Sequence, residues 1–371
     1  METTVALHAG RPFSAALYLS AALLNGWVLH AAMHRLGICA LPALLGLLTA
    51  AGALVLTAAL FPRTGGGQFC GRAATVLYAM QPVLLWASAA GIPCLLLPGG
   101  IRGGITVCAL FLLASVTAVV GYIRARRICV TRYRLTTKQT FPGGRLRIVH
   151  LSDLHLGFVN DRRMLSQIVR LVRSLQPDLI CITGDTFEHG LSAMENPASF
   201  AGLLASIRPQ LGIYACLGNH DAGRDFPAML SFFRKAGITL LRDEIAFPHP
   251  SVRIAGRRDA TPGGRRNPHR KSAAELLGER TEAYTVLLDH QPQSHSEAKQ
   301  AGADLLLCGH THGGQFFPVG LLVRLRFPHM KGIRREGDFC TVVSAGSGAG
   351  SPPIRLGSRG EIAVVDVLTK K

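Results

Sequence analysis

The sequence predicts an α/β domain preceded by an all-α membrane region of four transmembrane helices, and three observations support this fold class. Long stretches without a charged residue fill the first third of the 371-residue chain. After residue 144, short β-branched apolar runs recur, and the first two flank an amphipathic helical segment. Polar motifs rich in Asp, His and Asn directly follow several of these runs. Strands that alternate with helices predict a central sheet covered by helices.

Composition sets limits on the class of protein. The formal net charge is +18, yet the mean hydropathy is +0.28. A disordered chain combines high charge with low hydrophobicity, so this class is excluded. A soluble nucleic-acid-binding protein would explain the charge but not the hydropathy. We therefore expect the apolar and the basic residues to be segregated along the chain.

Four runs lack Lys, Arg, Asp and Glu, and each is 21 to 26 residues long. They cover residues 13–34, 36–61, 73–97 and 103–123. About 20 apolar residues suffice for a helix to cross the hydrocarbon core, so the runs predict four transmembrane helices. In the alternative interpretation, the first run is a cleaved signal peptide and the others are buried core helices. Three or five spans also remain open.

Basic residues in the short loops predict the orientation of these spans. One side of the predicted bundle carries eight arginines and the other side carries two, Arg35 and Arg102. The eight are Arg11, Arg63, Arg72, Arg124, Arg126, Arg127, Arg132 and Arg134. We therefore expect a multi-pass protein of the inner or plasma membrane whose C-terminal domain is cytoplasmic. An error of one in the number of spans would invert this orientation.

The predicted organisation is a membrane domain over residues 1–127, a basic juxtamembrane linker over 128–144, and a catalytic domain over 145–371. In the catalytic domain, eight short apolar runs predict strands. The segment 161–175 has apolar residues at helical spacing, which predicts a helix capped near Asn160 or Asp161. The strand-like runs are 146–151, 178–183, 213–217, 252–255, 284–288, 304–308, 341–344 and 362–367.

Five polar motifs each follow one of these runs. They are Ser152-Asp153-Leu154-His155, Thr183-Gly184-Asp185, Gly218-Asn219-His220-Asp221, Leu288-Asp289-His290 and Gly309-His310-Thr311-His312-Gly313-Gly314-Gln315. Ligands of open α/β sheets bind beyond the carboxyl ends of strands, so the five loops can converge on one site. His, Asp and Asn side chains suit Mn, Fe, Zn or Mg. Each motif alone could be an ordinary turn, but together they predict a site for one or two metal ions.

This set of motifs resembles the calcineurin-like metallophosphoesterases, and in particular a membrane-associated branch with a Gly-His-Thr-His-Gly-Gly-Gln signature. The resemblance covers about residues 146–368. It implies a double β-sandwich flanked by helices and a phosphoesterase that uses two divalent metal ions, with Mn expected and Fe, Zn or Mg as alternatives. By the same resemblance, one metal is held by Asp153, His155, Asp185 and His312, and the second by Asp185, Asn219, His290 and His310.

The resemblance also assigns His220 as the catalytic histidine and Asp221 as its acidic partner. The sequence departs from the family pattern at Glu188, where many members have Asp, and this departure affects only the surroundings of the ligands. A second departure is Asp289, where Ser or Ala is common. An additional carboxylate at that position could lower the charge of the site.

Most of the basic excess lies after residue 123, which suggests that the domain faces anionic lipid or collects a polyanionic substrate. The segment 316–335 mixes large apolar residues with arginine and lysine. It is either a buried strand or helix with a solvated basic edge, or an apolar-basic lip that admits a lipid phosphate. The predicted substrate or membrane contacts are Arg324, Arg326, Phe327 and Lys331.

We therefore expect hydrolysis of a phosphodiester or pyrophosphate in a membrane lipid or lipid-linked substrate, such as a UDP-diacylglucosamine-type pyrophosphate. The expected partners are the bilayer and this lipid. The alternative is a membrane-tethered nucleotide or nucleic-acid phosphodiesterase, although aromatic residues form only 6% of the chain and base stacking requires them. A third hypothesis is an inactive membrane sensor or scaffold. The sequence gives no indication of a protein partner.

Overall fold

The computed structural model describes residues 6–38, 83–96, 100–157, 159–188, 190–191, 194, 196–221 and 225–370. The chain forms two compact units. The first comprises Met1–Ile123 with Ser351–Ile354, and the second comprises Arg124–Gly350 with Arg355–Lys371.

The described part of the first unit contains helices α1 (Ala6–Arg35), α2 (Val83–Leu96) and α3 (Gly100–Ala125). Of the described helices, only α3 is long and apolar enough to cross a membrane, judged by its length and composition. The fourth charge-free run therefore corresponds to a candidate span, and the predicted region of four transmembrane helices is not supported.

The other three charge-free runs are described to different extents. The first lies within α1, which also contains polar groups such as Asn25, whose side-chain oxygen accepts a hydrogen bond from Ser88 Oγ at 2.7 Å. The described residues of the third run form α2, which is shorter than a span, and residues 73–82 and 97 lie outside the described residues. Most of the second run, residues 39–61, lies outside the described residues.

The second unit contains two six-stranded sheets. The first has the order β1-β12-β2-β3-β4-β5 and the second has the order β10-β11-β9-β8-β7-β6. Most neighbouring strands are parallel; β12 with β2, β10 with β11 and β6 with β7 are antiparallel. The strands are β1 Ile128–Thr137, β2 Arg145–Leu151, β3 Leu179–Thr183, β4 Ile213–Cys216, β5 Ile238–Leu240, β6 Glu244–His249, β7 Val252–Gly256, β8 Tyr284–Leu288, β9 Leu305–Cys308, β10 Gly332–Glu336, β11 Phe339–Val343 and β12 Gly360–Thr369.

Helices accompany both sheets, and the helical segment predicted from apolar spacing is confirmed as α4. Its N-cap is Asp161, whose carboxylate accepts a hydrogen bond from Met164 N at 3.0 Å. The helices of this unit are α4 Arg162–Ser174, α5 Pro197–Ala205, α6 Phe226–Lys235, α7 Ala273–Leu277, α8 His295–Gln300 and α9 Val319–Arg326.

Alternation of side chains along the strands separates the apolar core into layers. Val149 and Ile180 of the first sheet pack with helices α4, α5 and α6. Ile148, one residue from Val149, packs instead in a second cluster with Val286 of the other sheet. A third cluster joins Leu287 to helices α7 and α8. The fold is therefore a mixed α/β sandwich in which two parallel-rich sheets face each other and helices cover their outer faces.

The first strand corrects the predicted linker. Residues 128–137 form β1, which pairs in parallel with β12 from Ile128 to Thr137. Arg132 and Arg134 lie on its exposed positions, whereas Leu135 is buried between the sheets. The alternation of basic with apolar residues is a strand pattern with period two, which the density of arginines obscures in the sequence. Strands β5, β6 and β10 were also not predicted, because they are short or partly exposed edge segments.

Candidate metal centre

Each predicted ligand lies just beyond the carboxyl end of a strand. Asp153 and His155 follow β2, Asp185 follows β3, and Asn219 follows β4. The second sheet contributes His290 after β8 and both His310 and His312 after β9. The two sheets present these ends at a common edge, so all seven side chains lie in one connected cluster, although residues that meet there, such as His155 and His312, are 157 positions apart in sequence.

The first group of potential ligands contains Asp153, His155 and His312. Nε2 of His155 and Nε2 of His312 are 3.1 Å apart. Asp153 Oδ1 lies 3.5 Å from the same nitrogen of His312 and 3.9 Å from that of His155. Donor atoms at these separations can surround one small cation.

The second group contains Asp185, His290 and His310. Nε2 of His290 lies 3.2 Å from Asp185 Oδ2 and 3.2 Å from His310 Nδ1. The side-chain oxygen of Asn219 is 3.1 Å from the same nitrogen. These four side chains are the ones that the resemblance assigns to the second metal ion.

Asp185 connects the two groups. Its Oδ2 lies 3.2 Å from His290 Nε2 and 3.7 Å from His155 Nε2. Its Oδ1 accepts a hydrogen bond from the backbone N–H of His220 at 2.8 Å. One carboxylate therefore reaches both groups, which is the arrangement required of a ligand shared by two ions.

Hydrogen bonds orient the histidines so that one nitrogen remains directed into the cluster. His290 Nδ1 is 2.8 Å from the carbonyl of Thr183, to which an Nδ1–H donates. His155 Nδ1 contacts the carboxylate of Glu188. In both rings this leaves Nε2 facing the other ligands. Partners of this kind fix the tautomer and ring orientation of metal-binding histidines.

Glu188 is a functional residue that the sequence analysis did not include among the site residues. Its side chain is buried and forms, with His155 and His220, a third group of close potential ligand atoms. The signal was present in the sequence as an acidic residue three positions after Asp185. The sequence alone did not show that this carboxylate contacts His155.

The electrostatics of the cluster follow from burial opposed by neighbouring charge. Burial alone would lower the pKa of His155, but Glu188, Asp185 and Asp153 raise that pKa to about 9. Burial alone would also lower the pKa of His290. The neighbouring carboxylate of Asp185 is the main reason that this pKa is raised. The pKa of Asp185 is held well below its ordinary value by His290, which outweighs the effect of burial.

The remaining two histidines are neutral in the same environment. Burial and the neighbouring His290 lower the pKa of His310 to about 4. Burial, His155 and Arg355 lower the pKa of His312 well below its ordinary value. Buried carboxylates beside neutral imidazoles with inward-facing nitrogens fit divalent cations, and the residues present therefore suit the dimetal site that the fold implies.

Backbone conformation provides a second indication that this edge is a functional site. Five of the predicted ligands have positive φ angles, a region that residues other than glycine occupy rarely. The angles are 51° at Asp153, 43° at His155, 48° at Asp185, 73° at His310 and 49° at His312. Such strained positions cluster at functional sites and persist where the surrounding structure holds them.

Two glycines permit the close approach of the ligand loops. A Cβ at Gly218 would lie 2.2 Å from Asp185 Oδ1. A Cβ at Gly309 would lie 2.3 Å from Asp153 Oδ2. Both distances are below any normal contact, so the glycines in the Gly-Asn-His-Asp and Gly-His-Thr-His motifs are required by packing around the carboxylates.

His220 and Asp221 occupy different environments. His220 is exposed, and its ring lies 5.1 Å from the ring of His155, with Nδ1 3.4 Å from the carbonyl of Glu188. This places it beside the ligands and open to solvent, where it could contact a substrate.

Asp221, in contrast, is buried and faces the backbone. Its carboxylate accepts hydrogen bonds from the N–H groups of Thr186, Phe187 and Gly218 at 3.0 to 3.2 Å. Burial and the nearby Asp185 raise the pKa of Asp221 to about 6, against the effect of these hydrogen bonds. The structure thus gives Asp221 the role of joining two ligand loops, and the carboxylate near the His220 ring is that of Glu188.

Asp289 does not add charge to the site in the way that the sequence suggested. Its carboxylate is paired with two guanidinium groups, at 3.2 Å from Arg257 Nη1 and in close contact with Arg270 Nη2. Both arginines lie in the segment between β7 and α7. Because its charge is compensated on that side, Asp289 anchors the loop that carries His290.

Arg355 is a second residue that the sequence analysis missed. Its side chain is fully buried, and its two terminal nitrogens donate to five carbonyls and one hydroxyl at 2.6 to 3.3 Å. The acceptors are His312 O, Ala345 O, Gly346 O, Gly348 O, Arg359 O and Ser358 Oγ. Burial lowers the pKa of this guanidinium to about 10. Arg355 therefore fastens the His312 loop to residues 345–348.

The four predicted substrate or membrane contacts do not share one environment. Arg324, Arg326 and Lys331 are exposed. Phe327 is buried, and its ring packs edge-to-face against that of His310, with centroids 5.1 Å apart. Phe327 therefore supports a predicted ligand and is not part of an exposed contact surface.

A cluster of buried carboxylates and histidines at the strand ends of such a sandwich defines a metal-dependent hydrolase of the phosphoesterase class. Residues 146–314 match the calcineurin-like phosphoesterase family. A protein of Aquifex aeolicus (strain VF5) named "Uncharacterized metallophosphoesterase" is 35% identical over 247 residues, which are 65% of this chain and 92% of that protein. The chain therefore belongs to the metallophosphoesterase family.

Two animal relatives carry the name "Transmembrane protein with metallophosphoesterase domain". The protein of Danio rerio is 35% identical over 229 residues, which are 58% of this chain and 52% of that protein. The protein of Bos taurus is 30% identical over 278 residues, which are 68% of this chain and 60% of that protein. The matched region thus spans about half to three fifths of these two relatives. Some relatives are named as transmembrane proteins, and among the residues described for this chain one helix is long and apolar enough to span a membrane.

Proposed function

We propose that the protein is a dimetal phosphoesterase that hydrolyses a phosphodiester or pyrophosphate bond in a membrane lipid or lipid-linked substrate. The observation that carries the reaction class is the position of Asp185, within 3.7 Å of His155 and 3.2 Å of His290. One ion would be held by Asp153, His155, Asp185 and His312, and the other by Asp185, Asn219, His290 and His310. When bound, such ions supply an acidified water and neutralise charge on the phosphoryl oxygens.

The residues of the chain have separate tasks in this proposal. Glu188 and the carbonyl of Thr183 hold the rings of His155 and His290 with Nε2 directed inward. Exposed His220 contacts the substrate and transfers a proton to the leaving oxygen, a type of assistance worth about 10²–10⁴-fold in rate. The hydrogen bonds of Asp221 and Arg355 hold the ligand loops in position relative to one another.

A lipid substrate is supported by the way in which the catalytic unit is connected. The candidate span α3 ends at Ala125 and β1 begins at Ile128, so two residues, Arg126 and Arg127, join them. We propose that Arg324, Arg326 and Lys331 contact the phosphate-bearing lipid. A UDP-diacylglucosamine-type pyrophosphate is an example by family analogy alone.

The remaining parts of the proposal concern metal and membrane topology. We expect Mn²⁺ as the metal, with Fe, Zn or Mg as alternatives that the same ligands accept. We also propose a multi-pass protein with up to four spans, because the charge-free runs are long enough. The arginine distribution supports the proposal that the catalytic unit is cytoplasmic, at an inner or plasma membrane. We also propose that the chain belongs to the membrane-associated branch, because residues 309–315 read Gly-His-Thr-His-Gly-Gly-Gln.

The proposal is tested with the detergent-purified full chain and Mn²⁺ on four substrates. These are a phospholipid, a nucleotide-linked glycolipid, bis-p-nitrophenyl phosphate and a cyclic nucleotide. We expect hydrolysis of a lipid substrate in addition to the generic diester, and its loss in the Asp185→Asn variant. Activity confined to the generic diester would disprove the lipid substrate, and hydrolysis of the cyclic nucleotide alone would favour a tethered nucleotide phosphodiesterase. Metal binding without any hydrolysis would favour a sensor or scaffold.

A further inference from the structure

Helix α9 exposes a row of large apolar side chains. None of its residues is buried. Leu321, Leu322 and Leu325 expose 55%, 67% and 83% of their surface, and Phe317, just before the helix, exposes 61%. A helix of a soluble domain normally buries an apolar stripe against the core. Several large apolar side chains exposed side by side mark an interaction surface.

Basic residues lie among these apolar side chains. Arg324 and Arg326 belong to α9, and both are exposed. Lys331, Arg334 and Arg335 follow within the same segment and are also exposed. The sequence from residue 316 to 335 contains no Asp or Glu. The surface therefore combines exposed leucines with positive charge, the composition of elements that lie in the interface of an anionic bilayer.

The segment that carries this surface is attached to the ligand loop of the metal centre. Thr311 Oγ1 donates to the carbonyl of Met330, and a Cβ at Gly314 would lie 2.9 Å from Gly320 Cα. The ring of Phe327 packs on that of His310 at 5.1 Å. Close packing transmits position, so a partner that seats α9 also fixes the orientation of His310 and its loop.

We infer that α9 and the residues around it dock into the interface of an anionic phospholipid bilayer, with Leu321, Leu322 and Leu325 in the acyl boundary and Arg324 and Arg326 at the lipid phosphates. Charge complementarity selects this occupant, because Arg324 and Arg326 alternate with the exposed leucines on α9 and the helix has no acidic residue. The same chain also carries a candidate membrane span, Gly100–Ala125. The inference deepens the proposed function and rests on it, since it explains how a lipid substrate would reach the site.

The experiment uses the full chain, reconstituted in nanodiscs of phosphatidylcholine with or without phosphatidylglycerol. The chain has two tryptophans, Trp27 and Trp86, which are first replaced by phenylalanine. Leu325→Trp then reports on α9. Phe247→Trp is the matched control, because Phe247 is an apolar residue of β6 that is 60% exposed. Emission wavelength and quenching by brominated lipid are measured for both variants.

We expect the tryptophan at position 325 to shift to shorter wavelength and lose intensity to the brominated lipid in discs that contain phosphatidylglycerol. The shift should decrease when Arg324 and Arg326 are both changed to glutamate, and the tryptophan at position 247 should remain unquenched. Equal emission from both positions would overturn the inference. A shift that depends on protein concentration in detergent, and not on lipid, would also overturn it and assign the surface to a second copy of the chain.

These measurements require no catalysis, so they fail independently of the proposed function. Lipid hydrolysis without insertion of α9 would refute this inference and leave the proposed function in place. Insertion without hydrolysis of any lipid would refute the proposed substrate and leave the docking surface in place.

Discussion

Nδ1 of His155 contacts the buried carboxylate of Glu188, and Nε2 of the same ring lies 3.7 Å from Asp185 Oδ2. His155 therefore lies between two carboxylates. One belongs to Glu188, which is outside the predicted ligand set, and the other belongs to Asp185, which joins the two groups of predicted ligands. A partner on Nδ1 increases the basicity of Nε2 and fixes the ring plane. We therefore expect the affinity for a metal ion to depend on Glu188, which the ligand motifs do not include.

We expect Glu188→Gln to lower metal affinity by about 10- to 100-fold, because an amide orients His155 without the negative charge. Affinity is measured by competition with a fluorescent chelator. Glu282→Gln is the matched control, since Glu282 is exposed on the same unit. Equal affinities in the two variants would show that Glu188 does not act through His155.

Metal affinity should increase with pH between 6.5 and 9. In the metal-free protein, the pKa of His155 is raised from 6.5 to about 9, so a proton must leave this ring when a cation binds. Calorimetry in buffers of different ionisation enthalpy should detect proton release that decreases toward pH 9. Binding that is independent of pH over this window would contradict the prediction.

The chelated protein should show the opposite trend in stability. A pKa raised in the folded state contributes stability that is fully present below pH 6.5 and is lost as pH rises through about 9. Urea unfolding in the presence of a chelator should therefore give a lower free energy of unfolding at pH 9 than at pH 6.5. The Glu188→Gln variant should lose the part of this dependence that His155 contributes, because its His155 lacks the principal opposite charge.

His220→Asn should reduce turnover by about 10²–10⁴-fold while the protein retains its metal. The ring of His220 is exposed beside His155, so its loss removes a proton donor without removing a ligand that either half of the site requires. Metal content and the rate with bis-p-nitrophenyl phosphate are measured on the same sample. If metal content fell in parallel with activity, His220 would itself be a ligand.

Gly218→Ala should reduce both stability and metal content. The added Cβ would lie 2.2 Å from Asp185 Oδ1 and 2.4 Å from Asp185 N, so the shared carboxylate must move. Gly202→Ala is the control, because a Cβ there meets nothing within 4 Å in helix α5 and should stabilise by about 0.5–1 kcal/mol. Similar effects of the two substitutions would contradict the packing argument.

Arg355→Met should lower the free energy of unfolding by about 3–5 kcal/mol, because it leaves several buried carbonyls without a donor. Chemical denaturation of the chelated protein separates this effect from metal binding. Arg359→Met, at an exposed side chain four residues later, should change stability by less than about 0.5 kcal/mol. Equal stabilities would show that solvent replaces the guanidinium at those carbonyls.

The local sequence pattern was sufficient to predict part of the fold. Apolar spacing predicted α4 and a cap near Asn160 or Asp161, of which the structure selects Asp161, and β-branched runs predicted the central strands, because these features depend on neighbours in sequence. Strand β1 was interpreted as a basic linker, since its arginines hide an alternation that only pairing with β12 makes visible. Four spans were predicted from charge-free runs, whereas α3 alone among the described helices has the length and composition of a span.

The sequence by itself determined which side chains are candidates for metal binding, because the chemistry of Asp, His and Asn after a strand is local. Only the tertiary structure decided which of them touch. Asp185 reaches His155 and His290 because two sheets bring their strand ends to one edge, and Asp221 turns toward the backbone of a neighbouring loop. Glu188 and Arg355 gain their roles from burial, which is set by the packing of segments distant in sequence. The candidate ligands are therefore recognised from their local chemistry, whereas the packing of distant segments decides which of them are in contact.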